Sequence, residues 1–124
     1  MAESLKGKKI LVVDDDPDIV TAITATFADT GAVVATASDG ATGVKKAESD
    51  CPDLIVLDIM LPQKSGFLVL EKLKQLESRP RVIMITGNQG RRHKQYAEAL
   101  GVDEYLNKPF PMDRLLESAT RLLT

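Results

Sequence analysis

The sequence has no tryptophan, one histidine, one cysteine and only 4% aromatic residues. A single thiol, Cys51, cannot form an internal disulfide, so burial alone must hold the fold, and a reducing, cytoplasmic setting suits such a chain. Neither a histidine nor a basic residue flanks Cys51, which therefore reads as a small, semi-buried hydrophobe and not as a reactive thiol. The lone histidine, His93, lies in a polar, basic stretch of surface character, which leaves no Ser-His-Asp set to build. Charge of one sign is also missing. Sixteen Lys and Arg against eighteen Asp and Glu give a net charge of −2, which makes no electrostatic case for direct nucleic-acid binding. No apolar run approaches membrane-spanning length, and the opening MAESLKGKK lacks the apolar core of a signal peptide. Repeats and low-complexity tracts are absent as well. What remains is 124 residues, 44% hydrophobic and 27% charged, enough for one domain over 1–124 with its own core, residues 1–8 serving as a lead-in.

Apolar runs of strand length alternate with helical periodicity from end to end. KKILVV (8–13) runs on without polar alternation, as a strand buried on both faces would. Asp16 and Pro17 suit the cap and first position of a helix that sets Ile19, Val20, Ile23 and Phe27 on one face and stops at Gly31. A second strand is expected at 33–37, and a weaker helix at 39–50 with Ala41, Val44 and Ala47 inward, stopped by Pro52. DLIVLD (53–58) is the third strand. Beyond a loop carrying Pro62 and Gly66, a helix aligns Phe67, Leu70, Leu73 and Leu76. RVIMIT (81–86) is the fourth strand, 91–100 a helix closed by Gly101, and DEYLN (103–107) the fifth strand. Pro111 opens a last helix with Met112, Leu115, Leu116, Ala119, Leu122 and Leu123 in one stripe. Five β-α units in a row predict an α/β fold: a flavodoxin-like, doubly wound, five-stranded parallel sheet of order 2-1-3-4-5, with helices on both faces.

Ligands on such sheets bind outside the carboxyl ends of the strands, at the switch point between strands 1 and 3. Asp14 and Asp15 follow the first strand, Asp58 ends the third, Thr86 ends the fourth and Lys108 follows the fifth, so all five fall on one edge. Crowded carboxylates repel unless something offsets them. Hard oxygen donors suit Mg²⁺, or Mn²⁺ in its place. Lys108 brings a positive charge and Thr86 a hydroxyl donor for a phosphoryl oxygen. A carboxylate in that setting can itself act as nucleophile and become an aspartyl-phosphate.

ILVVDDDP (10–17), DLIVLDIMLPQKSG (53–66), VIMITG (82–87) and YLNKPF (105–110) together resemble, in order and spacing, the receiver domain of two-component response regulators. The resemblance spans nearly the whole chain. It implies that Asp58 accepts a phosphoryl group from the phosphohistidine of a sensor histidine kinase or phosphotransfer protein. It further implies that Asp14 and Asp15 form the metal-binding acid pair, that the backbone carbonyl of Met60 completes the metal shell with Asp58, and that Thr86 and Lys108 grip the phosphoryl oxygens. Asp16 and Asp18 fall outside that pair. Thr86 would move toward the phosphoryl group and Tyr105 turn inward behind it, changing the face of helix 4, strand 5 and helix 5. A downstream protein, or a second copy in a phosphorylation-dependent homodimer, would read that face. Such a switch is not a turnover enzyme; it catalyses only its own phosphorylation and dephosphorylation. Met60 and Asn88 would border the path of the hydrolytic water, one apolar and one uncharged, so slow to intermediate dephosphorylation is expected. One departure is Gly87, where alanine is common; it leaves the site open and the loop freer. Lys45, Lys46 and the basic residues of GNQGRRHK (87–94) read as solvated helix faces.

Three other readings compete. A Mg²⁺-dependent phosphohydrolase of the haloacid-dehalogenase kind would use Asp14 and Asp16 as its Asp-x-Asp, but Asp18 stands where Thr or Val is expected and the chain is short for that fold. A phosphorylation-independent module would tolerate loss of an acid or the lysine, and none is lost. A nucleotide or flavin binder lacks its glycine-rich loop after the first strand.

Overall fold

The structure, a computed structural model, describes residues 4–61, 65–87 and 91–124; Pro62 and Asn88 of the reading above lie outside them. Five strands, β1 (Lys9–Val13), β2 (Val33–Ala37), β3 (Leu54–Asp58), β4 (Arg81–Thr86) and β5 (Glu104–Asn107), alternate with α1 (Pro17–Ala28), α2 (Gly40–Asp50), α3 (Gly66–Lys74), α4 (Arg91–Ala99) and α5 (Met112–Leu123). All strand pairings are parallel, in the order β2-β1-β3-β4-β5. The sheet is the one the alternating pattern predicts.

The unbroken apolar runs divide between two cores. Leu11, Val13, Ile55, Leu57, Val82 and Met84 face α2, α3 and α4 through Ala47, Leu70, Leu73 and Ala97. Their sequence neighbours Ile10, Val12, Leu54, Val56, Ile83 and Ile85 face α1 and α5 through Ile23, Phe27, Leu115 and Ala119. The central strands β1, β3 and β4 thus serve both layers with period two, so their middle positions leave no place for a polar residue. Each fully buried Leu, Ile or Val contributes about 1.5–3 kcal/mol of burial. The stripes of α1, α3 and α5 pack as their spacing predicts, down to Leu76, Leu122 and Leu123.

The structure corrects several details. Ala41 is exposed, and the inward face of α2 is Gly40, Gly43, Val44 and Ala47. Glycine carries no hydropathy signal, yet a Cβ on Gly43 would lie 3.1 Å from both γ-carbons of Val13, so the helix packs close by having no side chain there. Cys51 is exposed; it ends α2 in a left-handed conformation with φ 49°, which turns it away from the core. His93 is half-buried, its ring edge-on to Phe67 at 5.6 Å. Lys46 is half-buried too, its Nζ donating to the Thr36 carbonyl at 2.5 Å. Asp53 and Asp103 precede β3 and β5 and cap the amino edge of the sheet: Asp53 Oδ2 accepts from Lys9 N–H at 2.8 Å and Asp103 Oδ2 from Val82 N–H at 2.7 Å.

Candidate functional site

The acids that end the first strand divide their work. Asp14 is buried, and its Oδ1 accepts from the N–H of Asp16 at 2.9 Å. Asp15 is exposed at the rim. Asp16 is the N-cap, its side chain accepting from Asp18 N–H at 2.9 Å, and Asp18 sits in the first turn of α1, where the helix dipole favours a negative charge. Two carboxylates serve the helix. The other two are left for the sheet edge.

Asp58 is the last residue of β3 and 4% exposed. Its Oδ1 accepts from Met60 N–H at 3.3 Å. The backbone of the next residue, Ile59, is clamped on both sides: its N–H donates to Ile85 O at 3.2 Å, and its carbonyl accepts from Gly66 N–H at 2.8 Å. A Cβ on Gly66 would lie 2.4 Å from the Asp58 carbonyl oxygen and 2.6 Å from Ile59 Cα. Glycine is therefore required where α3 begins. The sequence reading placed Gly66 only in a loop; the missing information was a close approach between backbones.

Lys108 reaches the acids from the fifth strand's end. Its N–H donates to Thr86 O at 2.7 Å, which fixes that end against β4. Its Nζ donates to Asp14 Oδ2 at 3.0 Å and lies 3.5 Å from Asp58 Oδ2. Oxygens of Asp14, Asp15 and Asp58 come within 4.8 Å of one another. Burial, then the charge of Asp14, push the Asp58 carboxyl up to about 6 against the pull of Lys108. For Lys108, burial works against the charged form, but the hydrogen bond to Asp14 and the two carboxylate charges outweigh it and hold the ammonium above its usual range. One lysine does not neutralise three acids. Excess negative charge on hard oxygen donors is the condition a divalent cation such as Mg²⁺ fits.

Thr86 is fully buried at the end of β4, one strand from Asp58. Tyr105 lies on β5 opposite Met84, its ring against the core cluster of Met84 and Ala97. Among the described residues its buried hydroxyl has no hydrogen-bond partner, and burial raises its pKa. The structure thus gathers Asp14, Asp15, Asp58 and Lys108 directly and sets Thr86 and Tyr105 on the two adjoining strands. The Met60 side chain points to solvent, 63% exposed. Beside the acids runs a groove of about 390 Å³ lined by residues that include Pro17, Thr36, Thr42 and Lys46.

Fold and site together define a flavodoxin-like α/β protein whose switch point carries an acid trio flanked by a lysine. Residues 10–120 match the model of the response regulator receiver domain, and the chain belongs to that family; it is a phosphorylation-dependent signalling domain. It is 45% identical over 104 residues to the alkaline phosphatase synthesis transcriptional regulatory protein PhoP of Bacillus subtilis, covering 84% of this chain and 43% of that protein. Against the CheY-like receiver domain protein of Methanospirillum hungatei the TM-score is 0.89 at 32% identity, covering 94% of this chain and 93% of the other. Against the chemotaxis response regulator CheY4 of Vibrio cholerae it is 0.87 at 30% identity, covering 94% and 98%. This chain spans about half the length of the curated relatives it matches, from 43% to 50%.

Proposed function

We propose that Asp58 takes a phosphoryl group from the phosphohistidine of a sensor histidine kinase or phosphotransfer protein and that the phosphorylated form acts through the face of α4, β5 and α5. The observation that carries this reading is the convergence of Asp14, Asp15, Asp58 and Lys108 within one buried-to-rim pocket. In the transfer an Asp58 oxygen attacks phosphorus, the phosphorus–nitrogen bond breaks, and the imidazole leaves carrying its electron pair. Lys108 is held where its ammonium can meet a phosphoryl oxygen, and Thr86 stands ready with a hydroxyl donor. Asp14, Asp15, Asp58 and the Met60 carbonyl would hold Mg²⁺, or Mn²⁺, which when bound offsets charge on the phosphoryl oxygens. Asp58 must be ionised to attack, and a cation among these acids favours that form.

In this reading Thr86 engages the phosphoryl group and Tyr105 shifts behind it. A downstream protein, or a second copy in a phosphorylation-dependent dimer, reads the result. The domain catalyses only its own phosphorylation and dephosphorylation. Residues 1–124 form one receiver unit, 1–8 its lead-in, working in the cytoplasm. The relatives are named as transcriptional regulators, but the net charge of −2 gives this domain itself no case for touching DNA. Among the described residues no helix is long and apolar enough to cross a membrane. Incubation with a small acyl-phosphate donor tests the reading. The expected product is one acid-stable, base-labile phosphoryl group per chain with Mg²⁺ and none in chelator. Steady turnover of phosphate esters without a stable label would favour a phosphohydrolase instead.

A further inference from the structure

Met60 stands apart from the other methionines that the structure describes. Met84 is fully buried in the sheet and Met112 half-buried on α5, whereas Met60 is 63% exposed. Its neighbours point the other way: Ile59 is buried and Leu61 packs against the core. The Met60 N–H donates to Asp58 Oδ1 at 3.3 Å, so its backbone is tethered to the carboxylate site while its side chain stands in water. No gain from burial accounts for an apolar side chain there.

We propose that Met60 is a site of reversible oxidation, through which peroxide-class oxidants shorten the lifetime of phosphorylated Asp58. The proposal rests on Asp58 being the phosphoacceptor. A sulfur lone pair attacks one oxygen of hydrogen peroxide, the sulfur–oxygen bond forms and the oxygen–oxygen bond breaks. The departing hydroxide takes the proton from the oxygen left on sulfur, so one peroxide gives one sulfoxide and one water. The product is polar and accepts hydrogen bonds, and methionine sulfoxide reductases restore the thioether. Exposure makes Met60 react ahead of Met84 and Met112. Oxidation sets a polar oxygen, able to hold a water, on the residue whose backbone N–H donates to Asp58 Oδ1, and hydrolysis needs a positioned water.

The test treats the protein with limiting hydrogen peroxide, maps oxidation by peptide mass, and follows loss of the phosphoryl label in excess Mg²⁺. Wild type and Met60→Leu are compared, each against its own untreated rate. Met60 should gain oxygen before Met84 and Met112, and oxidised wild type should lose label about two- to tenfold faster, the effect of one added hydrogen bond to the attacking water. Reductase should restore the original rate, and Met60→Leu should decay alike with and without peroxide. Oxidation of Met84 or Met112 ahead of Met60, or unchanged decay after Met60 is oxidised, overturns the proposal. If untreated protein takes no label at all, the Asp58 assignment fails and the proposal falls with it.

Discussion

In the metal-free protein Asp58 is a source of instability, and Asp58→Asn should relieve it. Burial and the Asp14 charge raise its carboxyl from 3.8 to about 6 in the fold, while the unfolded chain ionises it at its ordinary value. That rise corresponds to at most ~3 kcal/mol, and water at the mouth of the site screens part of it, leaving about 1–2 kcal/mol. Asparagine keeps the shape, removes the charge and leaves Lys108 paired with Asp14 at 3.0 Å. The variant should therefore be more stable than wild type near neutral pH by about 1–2 kcal/mol, or roughly 4–10 °C in Tm. The sign of the pH dependence follows from linkage. Below about pH 4 the side chain is protonated in both folded and unfolded wild type, and the advantage disappears. Between about pH 4 and 6 the fold still holds a proton that the unfolded chain has lost, so wild type loses stability relative to the variant as pH rises; above about pH 6 the gap is constant. Urea unfolding in chelator across this range measures it. A variant less stable than wild type near neutrality, or a gap that does not widen over that interval, would refute the reasoning.

Gly66→Ala should destabilise the fold by about 1–3 kcal/mol and slow phosphorylation, because its Cβ would sit 2.4 Å from the Asp58 carbonyl oxygen. Gly87→Ala, which meets nothing within 4 Å, should be neutral or stabilise by about 0.4–1 kcal/mol; chemical denaturation of both variants checks the order. Mg²⁺ should raise the Tm of wild type by mass action, and Asp15→Ala should remove most of that rise while leaving the metal-free protein more stable, as a thermal melt with and without metal would show. An amide NMR titration with beryllofluoride should perturb α4, β5 and α5 in wild type, and in Tyr105→Ala should perturb only the loops around Asp58.

The strands were legible because both faces of the sheet are covered: ILVV, LIVL and VIMI can be continuous only where two cores share one strand. The acids were legible for a related reason, since a polar residue at the end of such a run marks the point where the strand leaves the core. That same rule misread the amino edge. Asp53 and Asp103 looked like strand residues, but they stand before β3 and β5 and their carboxylates accept from the N–H groups of Lys9 on β1 and Val82 on β4. Features that depend on small size were not legible at all. Gly43 lets α2 approach Val13, and Gly66 lets α3 approach Asp58, yet neither leaves a trace in hydrophobic periodicity. Polar residues with apolar bodies were also misjudged. His93 packs its ring against Phe67, and Lys46 bends back to Thr36, because amphipathic side chains can bury their stems or rings while their charge counts as surface.

The central claim is that Asp58, and neither carboxylate of the pair before it, carries the phosphoryl group. Peptide mass mapping after incubation with a small phosphodonor and Mg²⁺ tests this most directly, run on wild type and on Asp58→Asn. One phosphoryl group on the peptide containing Asp58, and none on the variant, is the predicted result. A phosphoryl group on Asp14 or Asp15, or full labelling of Asp58→Asn, would contradict it.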